Sequence, residues 1–344
     1  MKFGITGLSG SGKSTIFETL TQNILGEKHK TENSMGAIDV PDTRVDVLSE
    51  MYKPKKTIHA KIEYFLPAVH NQKSDIKKDQ NVWTSVRDCD ALIHVVKNFA
   101  EYGQEPPTPC KDFLQLDQDI ILADYFTVEK RMERIEAEKK RGKKTDKEES
   151  DLLTTCHKSL EDGIPLRKVP EIASAQALKG FAFISAKPTL VLFNNNDEDP
   201  EFPDCKDIMA KEDCMVIRGK LEQELSHMSA EDAGDFLSEY DIKEVARERV
   251  IKKSYELLGL ISFFTVGEDE VRAWTIKKGT SALDAAEVIH SDIKKGFIRA
   301  EVLAYDDLMD AKTYNEARKK GTVRLEGKTY LVNDGDIINF RFNV

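Results

Sequence analysis

The chain has no apolar run approaching the ~20 residues a bilayer-spanning helix needs, so no membrane segment is expected. Met1 to Gly7 lack the basic stretch, apolar core and cleavage site of a secretory leader, and no signal peptide is expected. Positive charge is in deficit: 51 Lys and Arg stand against 61 Asp and Glu, a formal net charge of -10. Coating nucleic acid without regard to sequence requires Lys and Arg to neutralise phosphates. The balance therefore argues against that class and against a DNA partner, while a local basic face stays open. Cysteine is scarce and shows no C-x-x-C spacing. Cys89, Cys110, Cys156, Cys205 and Cys214 are scattered, as expected for reduced thiols acting as small hydrophobes in a cytoplasmic protein. No internal repeat is evident.

What is present suits two or three soluble domains: 344 residues, 40% of them hydrophobic and 33% charged. Residues 2 to 6 (KFGIT) read as a short strand, followed by the glycine-rich GLSGSGKST and a helical IFETLTQ. That order opens an α/β nucleotide-binding domain. ALIHVV (91–96) and TLVLF (189–193) suit strands buried on both faces of a parallel sheet. AKIEYF (60–65) and CMVI (214–217) are weaker strand candidates. From Asp117 to Glu161 the chain is charged and helical. Leu122, Phe126, Val128, Met132 and Ile135 are spaced for one face, RGKKTDK breaks the pattern, and Leu152, Leu153 and Leu160 resume it. This predicts an antiparallel helical hairpin inserted into the α/β domain. The last eighty or so residues alternate strand and turn signals and read as a small β-grasp-like domain. The expected boundaries are 1–116 and 179–262 for the nucleotide domain, 117–178 for the insertion and 263–344 for the terminal domain.

Gly7-Leu8-Ser9-Gly10-Ser11-Gly12-Lys13-Ser14 fits G-x-x-x-x-G-K-[ST] without a mismatch. The glycines let successive backbone N–H groups turn inward around phosphate oxygens. The helix that follows aims its positive end at them. Lys13 is placed for the β- and γ-phosphates and the Ser14 hydroxyl for Mg²⁺. Gly7, Ser9, Gly10, Ser11, Gly12, Lys13, Ser14 and Thr15 are the expected phosphate-binding set.

GLSGSGKST, PDTRVDVLSEMYKPKK, VRAWTIKKGTSALDAAEVIHSDIKKGFIRAEVLAYDDLM and DGDIINFRFNV together resemble the YchF-type branch of the Obg-related NTPases, through nearly the whole chain. The resemblance implies an α/β P-loop NTPase with a Ras-like G domain, a helical hairpin insertion and a C-terminal β-grasp TGS domain. It implies binding and hydrolysis of ATP or GTP with Mg²⁺, ATP often preferred, and association with ribosomes or another RNA-containing assembly. The guanine-reading Asn-Lys-x-Asp is absent. Asn195 through Glu198 matches the N-x-x-E that the family shows instead, at the end of a core strand where α/β sheets bind ligands. ATP is therefore expected to bind at least as well as GTP.

The sequence also departs from the family. Its D-x-x-G becomes Leu66 and Val69, followed by HNQKSDIKKDQ, and the nearest candidate for the switch threonine, Thr31, is one residue out of register. Hydrolysis needs a held metal and an oriented water, so slow turnover is expected and no catalytic residue is assigned. Glu63 or Asp75 are the positions for a substitute metal ligand, and His70 for a water-positioning group. The alternatives are a fully active NTPase and a non-catalytic nucleotide-binding scaffold or regulatory protein. Lys139-Lys140-Arg141-Gly142-Lys143-Lys144, at the hairpin tip, is either a solvated turn balanced by Glu136, Glu138, Glu148 and Glu149 or a contact to ribosomal RNA phosphate. Trp274, Phe263 and Phe264 are expected to pack a domain.

Overall fold

Strands that read as apolar runs become the centre of a parallel sheet. In the computed structural model, β1 (Lys2–Thr6) pairs in parallel with β4 (Lys61–Leu66) on one side and β5 (Ala91–Asn98) on the other. β5 pairs with β6 (Thr189–Asn195), and β6 with β7 (Asp213–Ile217). β2 (Ser34–Asp39) completes the order β2-β4-β1-β5-β6-β7. Every residue of β6 is buried, as a strand covered on both faces requires. The structure describes all residues except 27–31, 69–82, 101–102, 104, 227, 229–232, 234–236, 238–243 and 344.

The inserted hairpin pairs α3 (Pro109–Lys140) with α4 (Lys147–Glu161). Its first helix begins at Pro109, ahead of Asp117, because proline is suited to the first helical turn. Ile121, Val128 and Ile135 meet Leu153, Cys156 and Leu160 in its core. Leu122 and Phe126, expected on that face, are 52% and 48% exposed. The packed face follows the seven-residue step from Ile121, and those two side chains lie off it. Near the tip, Asp146 caps α4 by accepting from the Glu148 and Glu149 amides, and Arg131 binds Glu149 at 2.7 Å. At the base, buried Arg167 bridges Asp117 (2.8 Å) and Glu212 (3.0 Å). Asp124 accepts from the Ser185 amide at 2.7 Å.

The expectation of five reduced thiols is wrong at one pair. Cys110, in the first turn of α3, and Cys205, beyond β6, form a disulfide with Cα atoms 5.5 Å apart. β5 and β6 are parallel neighbours, so the chain leaves both at the same edge of the sheet. No sequence-spacing rule reveals a pair separated by 95 positions. Cys89 and Cys156 are buried thiols, pushed by burial to about 11 and about 12.

Contacts divide the chain into two units, Met1–Ala37 with Glu63–Val250, and Ile38–Ile62 with Ile251–Val344. The second holds a mixed sheet in the order β11 (Arg324–Glu326), β10 (Phe297–Ala304), β12 (Asp336–Phe342), β8 (Leu260–Val266), β9 (Glu270–Lys277), β3 (Lys56–Ile58). Ala282, Ala285 and Ala286 of a helix capped by Ser281 pack against Phe263, Phe297 and Phe340. Trp274 stacks on Phe263 at 6.5 Å and donates to Thr265, a packing role. Residues 38–62, read from sequence as part of the 1–116 segment, group instead with the C-terminal strands. β3 pairs with β9, Lys56 opposite Glu270, and Arg44 in α2 (Thr43–Tyr52) binds both Asp42 and Asp334 at 2.8 Å. Among the described residues, no helix is long and apolar enough to cross a membrane.

Candidate nucleotide site

β1 ends at Thr6, and the loop from Gly7 to Gly12 delivers the chain into α1 (Lys13–Thr21). Gly12 is the N-cap, at φ 92°, and no side chain caps the helix, so capping spends none of its first amides. A Cβ on Gly12 would lie 2.3 Å from Asn194 Nδ2, and one on Gly7 would lie 2.4 Å from the Val95 carbonyl oxygen. These two glycines are required by close approach of the neighbouring strands, not only by loop curvature. Lys13 Nζ donates to the carbonyls of Gly7 (3.0 Å) and Leu8 (2.7 Å). Burial pulls its ammonium down to about 8.

The loop opens onto a cavity of about 700 Å³ lined by Ser9, Gly10, Gly12, Lys13, Ser14 and Thr15, with Phe99, Asn194 to Asp197, Lys220 and Gln223 around them. A second cavity, of about 790 Å³ beside Cys110, is larger but holds no phosphate loop. Size does not single out the site; backbone amides, a lysine and a hydroxyl converging on one space do. Gly7 and Ser11 shape the loop from behind. Ser11 is 1% exposed, and its carbonyl accepts from Asn194.

At the end of β6 the structure places the two expected residues differently: Asn195 is among the residues lining the cavity and Glu198 is not. Asn195 is 3% exposed and its amide is committed: Oδ1 accepts from Asn98 (2.9 Å), and Nδ2 donates to the carbonyls of Asp199 (3.1 Å) and Glu201 (2.6 Å). Glu198 is exposed and does not line the cavity. Asn194 and Asp197, with the same spacing, line it together with Asn195. Asn194 Nδ2 donates to the Ser11 carbonyl and Oδ1 accepts from the Gly219 amide, both at 3.0 Å. Gly219 opens α5 (Gly219–Ser226), and Asp197 Oδ1 accepts from the Leu221 amide in its first turn at 3.1 Å. The run Asn-Asn-Asn-Asp-Glu holds both spacings, Asn194 to Asp197 and Asn195 to Glu198. Phe99, Lys220 and Gln223 carry no sequence signal that assigns them to the site.

Leu66, at the position of the lost aspartate, is 1% exposed at the end of β4. Its side chain offers no oxygen. Glu63 is excluded as a stand-in by register: it pairs with Lys2, at the start of β1, and the phosphate loop leaves the other end of that strand. Val69, His70, Asp75 and Thr31 lie outside the described residues. No group of three or more His, Cys, Asp or Glu among the described residues is arranged to hold a metal. Ser14 lines the cavity beside Lys13 and Thr15. Beneath the loop, His94 is fully buried with Nδ1 2.5 Å from Thr6 Oγ1. Burial, then the charge of Arg167, pulls its imidazole down to about 3, so it is neutral.

Residues 260–343 match the family model YchF-GTPase_C, "Protein of unknown function". The solved YchF GTPase of Schizosaccharomyces pombe aligns with a TM-score of 0.83 and 28% identity, covering 99% of this chain and 97% of that one. The fold is thus that of a P-loop G domain carrying a helical insertion and a C-terminal β-rich domain. The "Ribosome-binding ATPase YchF" of Haemophilus influenzae is 34% identical over 100% of this chain and 99% of its own length. That of Bacillus subtilis is 35% identical over 99% of each. Identity at that level over nearly the full length of both chains shows that the chain belongs to the YchF family.

Proposed function

We propose that this chain is a cytoplasmic nucleotide-binding protein that takes ATP or GTP with Mg²⁺ and associates with the ribosome. The observation that carries the reading is the convergence of the α1 amides, Lys13 and Ser14 on one cavity. The names of the relatives supply the ribosome and the ATPase activity. The loop amides and Lys13 would bind the β- and γ-phosphates, and Asn194 holds the loop backbone in the shape that does so. Ser14 would be the protein's ligand to Mg²⁺, a hard cation that takes oxygen donors. The chemistry such an ion would supply there is neutralisation of phosphoryl charge, beside Lys13 and the loop amides.

Hydrolysis is slow in this reading. Leu66 cannot accept from a metal-bound water, and misplacing reacting groups by even ~1 Å costs on the order of 10²-fold. The same observation favours a second reading, a scaffold in which nucleotide tunes partner binding without turnover. Calorimetry with ATP and GTP, with and without Mg²⁺, on the wild type and Lys13→Ala tests the first part. Unchanged affinity in the variant would remove the phosphate-loop assignment. Single-turnover hydrolysis, alongside ribosome co-sedimentation with and without nucleotide, separates a slow enzyme from a scaffold.

A further inference from the structure

We propose that the flank of the helical hairpin holds a second place for a nucleotide unit, a phosphate joined to a flat ring, separate from the phosphate loop. A cavity of about 450 Å³ lies against α3, and Arg87, Lys130, Arg131 and Arg134 line it. The rings of Trp83, Phe126 and Phe181 share its wall. No carboxylate is among its described lining residues, in a chain whose net charge is -10. It is a local basic face of the kind that the overall charge leaves open.

The four cations are not equivalent. Arg131 is committed to Glu149, which accepts from its Nε at 2.7 Å and its Nη2 at 2.9 Å. Arg87 is held in place by donating to the Phe181 carbonyl at 3.0 Å and to Thr127 Oγ1 at 3.2 Å. A guanidinium has more N–H groups than those two partners take. Lys130 and Arg134 are exposed, and neither has a hydrogen-bond or ion-pair partner among the described residues. They stand one turn apart on α3, ~6 Å along its axis. Phe126 stands one turn before Lys130 on the same face, 48% exposed and off the packed seam of the hairpin, so hairpin packing does not account for its ring. Cations alone would take any anion, and rings alone any apolar surface. A nucleotide unit asks for both: its phosphate oxygens accept from Lys and Arg, and every base has a π-face that stacks on an aromatic side chain. Phe126 carries the base in this arrangement, with Lys130 and Arg134 on the phosphate. Such a unit comes either as a free mononucleotide or as an unpaired nucleotide within an RNA strand.

Calorimetry on the full chain with UMP and, separately, with a short oligouridylate tests this and tells the two sources apart. Binding of UMP as tight as that of the strand assigns the site to free mononucleotide, and binding of the strand alone assigns it to RNA. Phe126→Ala is expected to weaken binding ~10-fold or more by removing the stacking face. Lys130→Gln with Arg134→Gln is expected to weaken it ~10-fold or more at low salt and less as salt rises. All three side chains are exposed, so these variants should keep the wild-type melting temperature. Lys13→Ala should leave this binding unchanged while it removes ATP binding at the phosphate loop. No binding of either probe to the wild type overturns the proposal. So does inorganic phosphate binding as tightly as UMP and the strand, or unchanged affinity in Phe126→Ala or in the double variant. Loss of binding in Lys13→Ala would return the ligand to the phosphate loop and overturn the second site alone.

Discussion

The side-chain amide of Asn194 donates to the Ser11 carbonyl at 3.0 Å, across 183 positions of sequence, and the same side chain takes the Gly219 amide on its other end. One buried residue thus sets the loop's curvature and its distance from α5. Asn194→Ala leaves a buried carbonyl and a buried N–H unpaired, each worth about 1–3 kcal/mol. We expect a fall of that order in unfolding free energy by urea titration and a loss of ~10-fold or more in nucleotide affinity. Full affinity in a destabilised variant would restrict Asn194 to a folding role.

Lys13 gives nucleotide affinity a pH signature. Its folded-state value of about 8 lies below the ordinary 10.5, so the ammonium is charged at pH 7 and discharges as pH rises through 8. Phosphate oxygens bind the charged form, so binding takes up a proton above pH 8. The dissociation constant for ADP should be flat from pH 6.5 to 7.5 and then rise, approaching tenfold per pH unit. A flat profile to pH 9.5 would show that the loop keeps Lys13 charged.

His94 acts on stability in the opposite pH range. Its folded value, about 3, is depressed below 6.5, so the unfolded chain binds the proton more readily between those values. Stability from this group is complete above pH 6.5 and is lost as pH falls, by up to ~1.4 kcal/mol per unit. Denaturation curves of His94→Gln and wild type should converge as pH drops from 6.5 to 4. Parallel curves would place the acid sensitivity elsewhere.

The Cys110–Cys205 bond closes a loop spanning the whole hairpin. Cross-links of that span typically stabilise by about 2–4 kcal/mol, chiefly by restricting the unfolded chain. Wild-type protein under oxidising conditions should melt above Cys110→Ser, and reductant should abolish the difference. Equal melting temperatures in both conditions would mean that the thiols stay reduced in solution.

The parts of this fold legible in sequence are those written locally. β1, β5 and β6 announce themselves as apolar runs, and the phosphate loop as a fixed spacing closed by strand and helix. The exposed face of Leu122 and Phe126 was illegible because a helix rich in charge offers several apolar alignments, and only the partner helix selects one. The different partners of Asn194 and Asn195 depended on how the end of β6 meets the phosphate loop and the strand beside it. The Cys110–Cys205 pair and the membership of residues 38–62 depended on partners far along the chain. Local spacing is silent about such partners, however strong each contact is.

The pairing of β3 with β9 also sets a timetable. Lys56 emerges early in synthesis, and its neighbour Glu270 is made more than 200 residues later. At ~5–20 residues per second, that leaves α2 and β3 without their sheet for roughly 10–40 s on the translating ribosome. During that interval Val45 and Leu48, both fully buried in the finished fold, have no β8 or β9 to lie against. The stretch from Ile38 to Ile62 is therefore where a chaperone would gain most by binding the nascent chain. A stop codon anywhere before β9 would release a polypeptide whose early helix can never be covered.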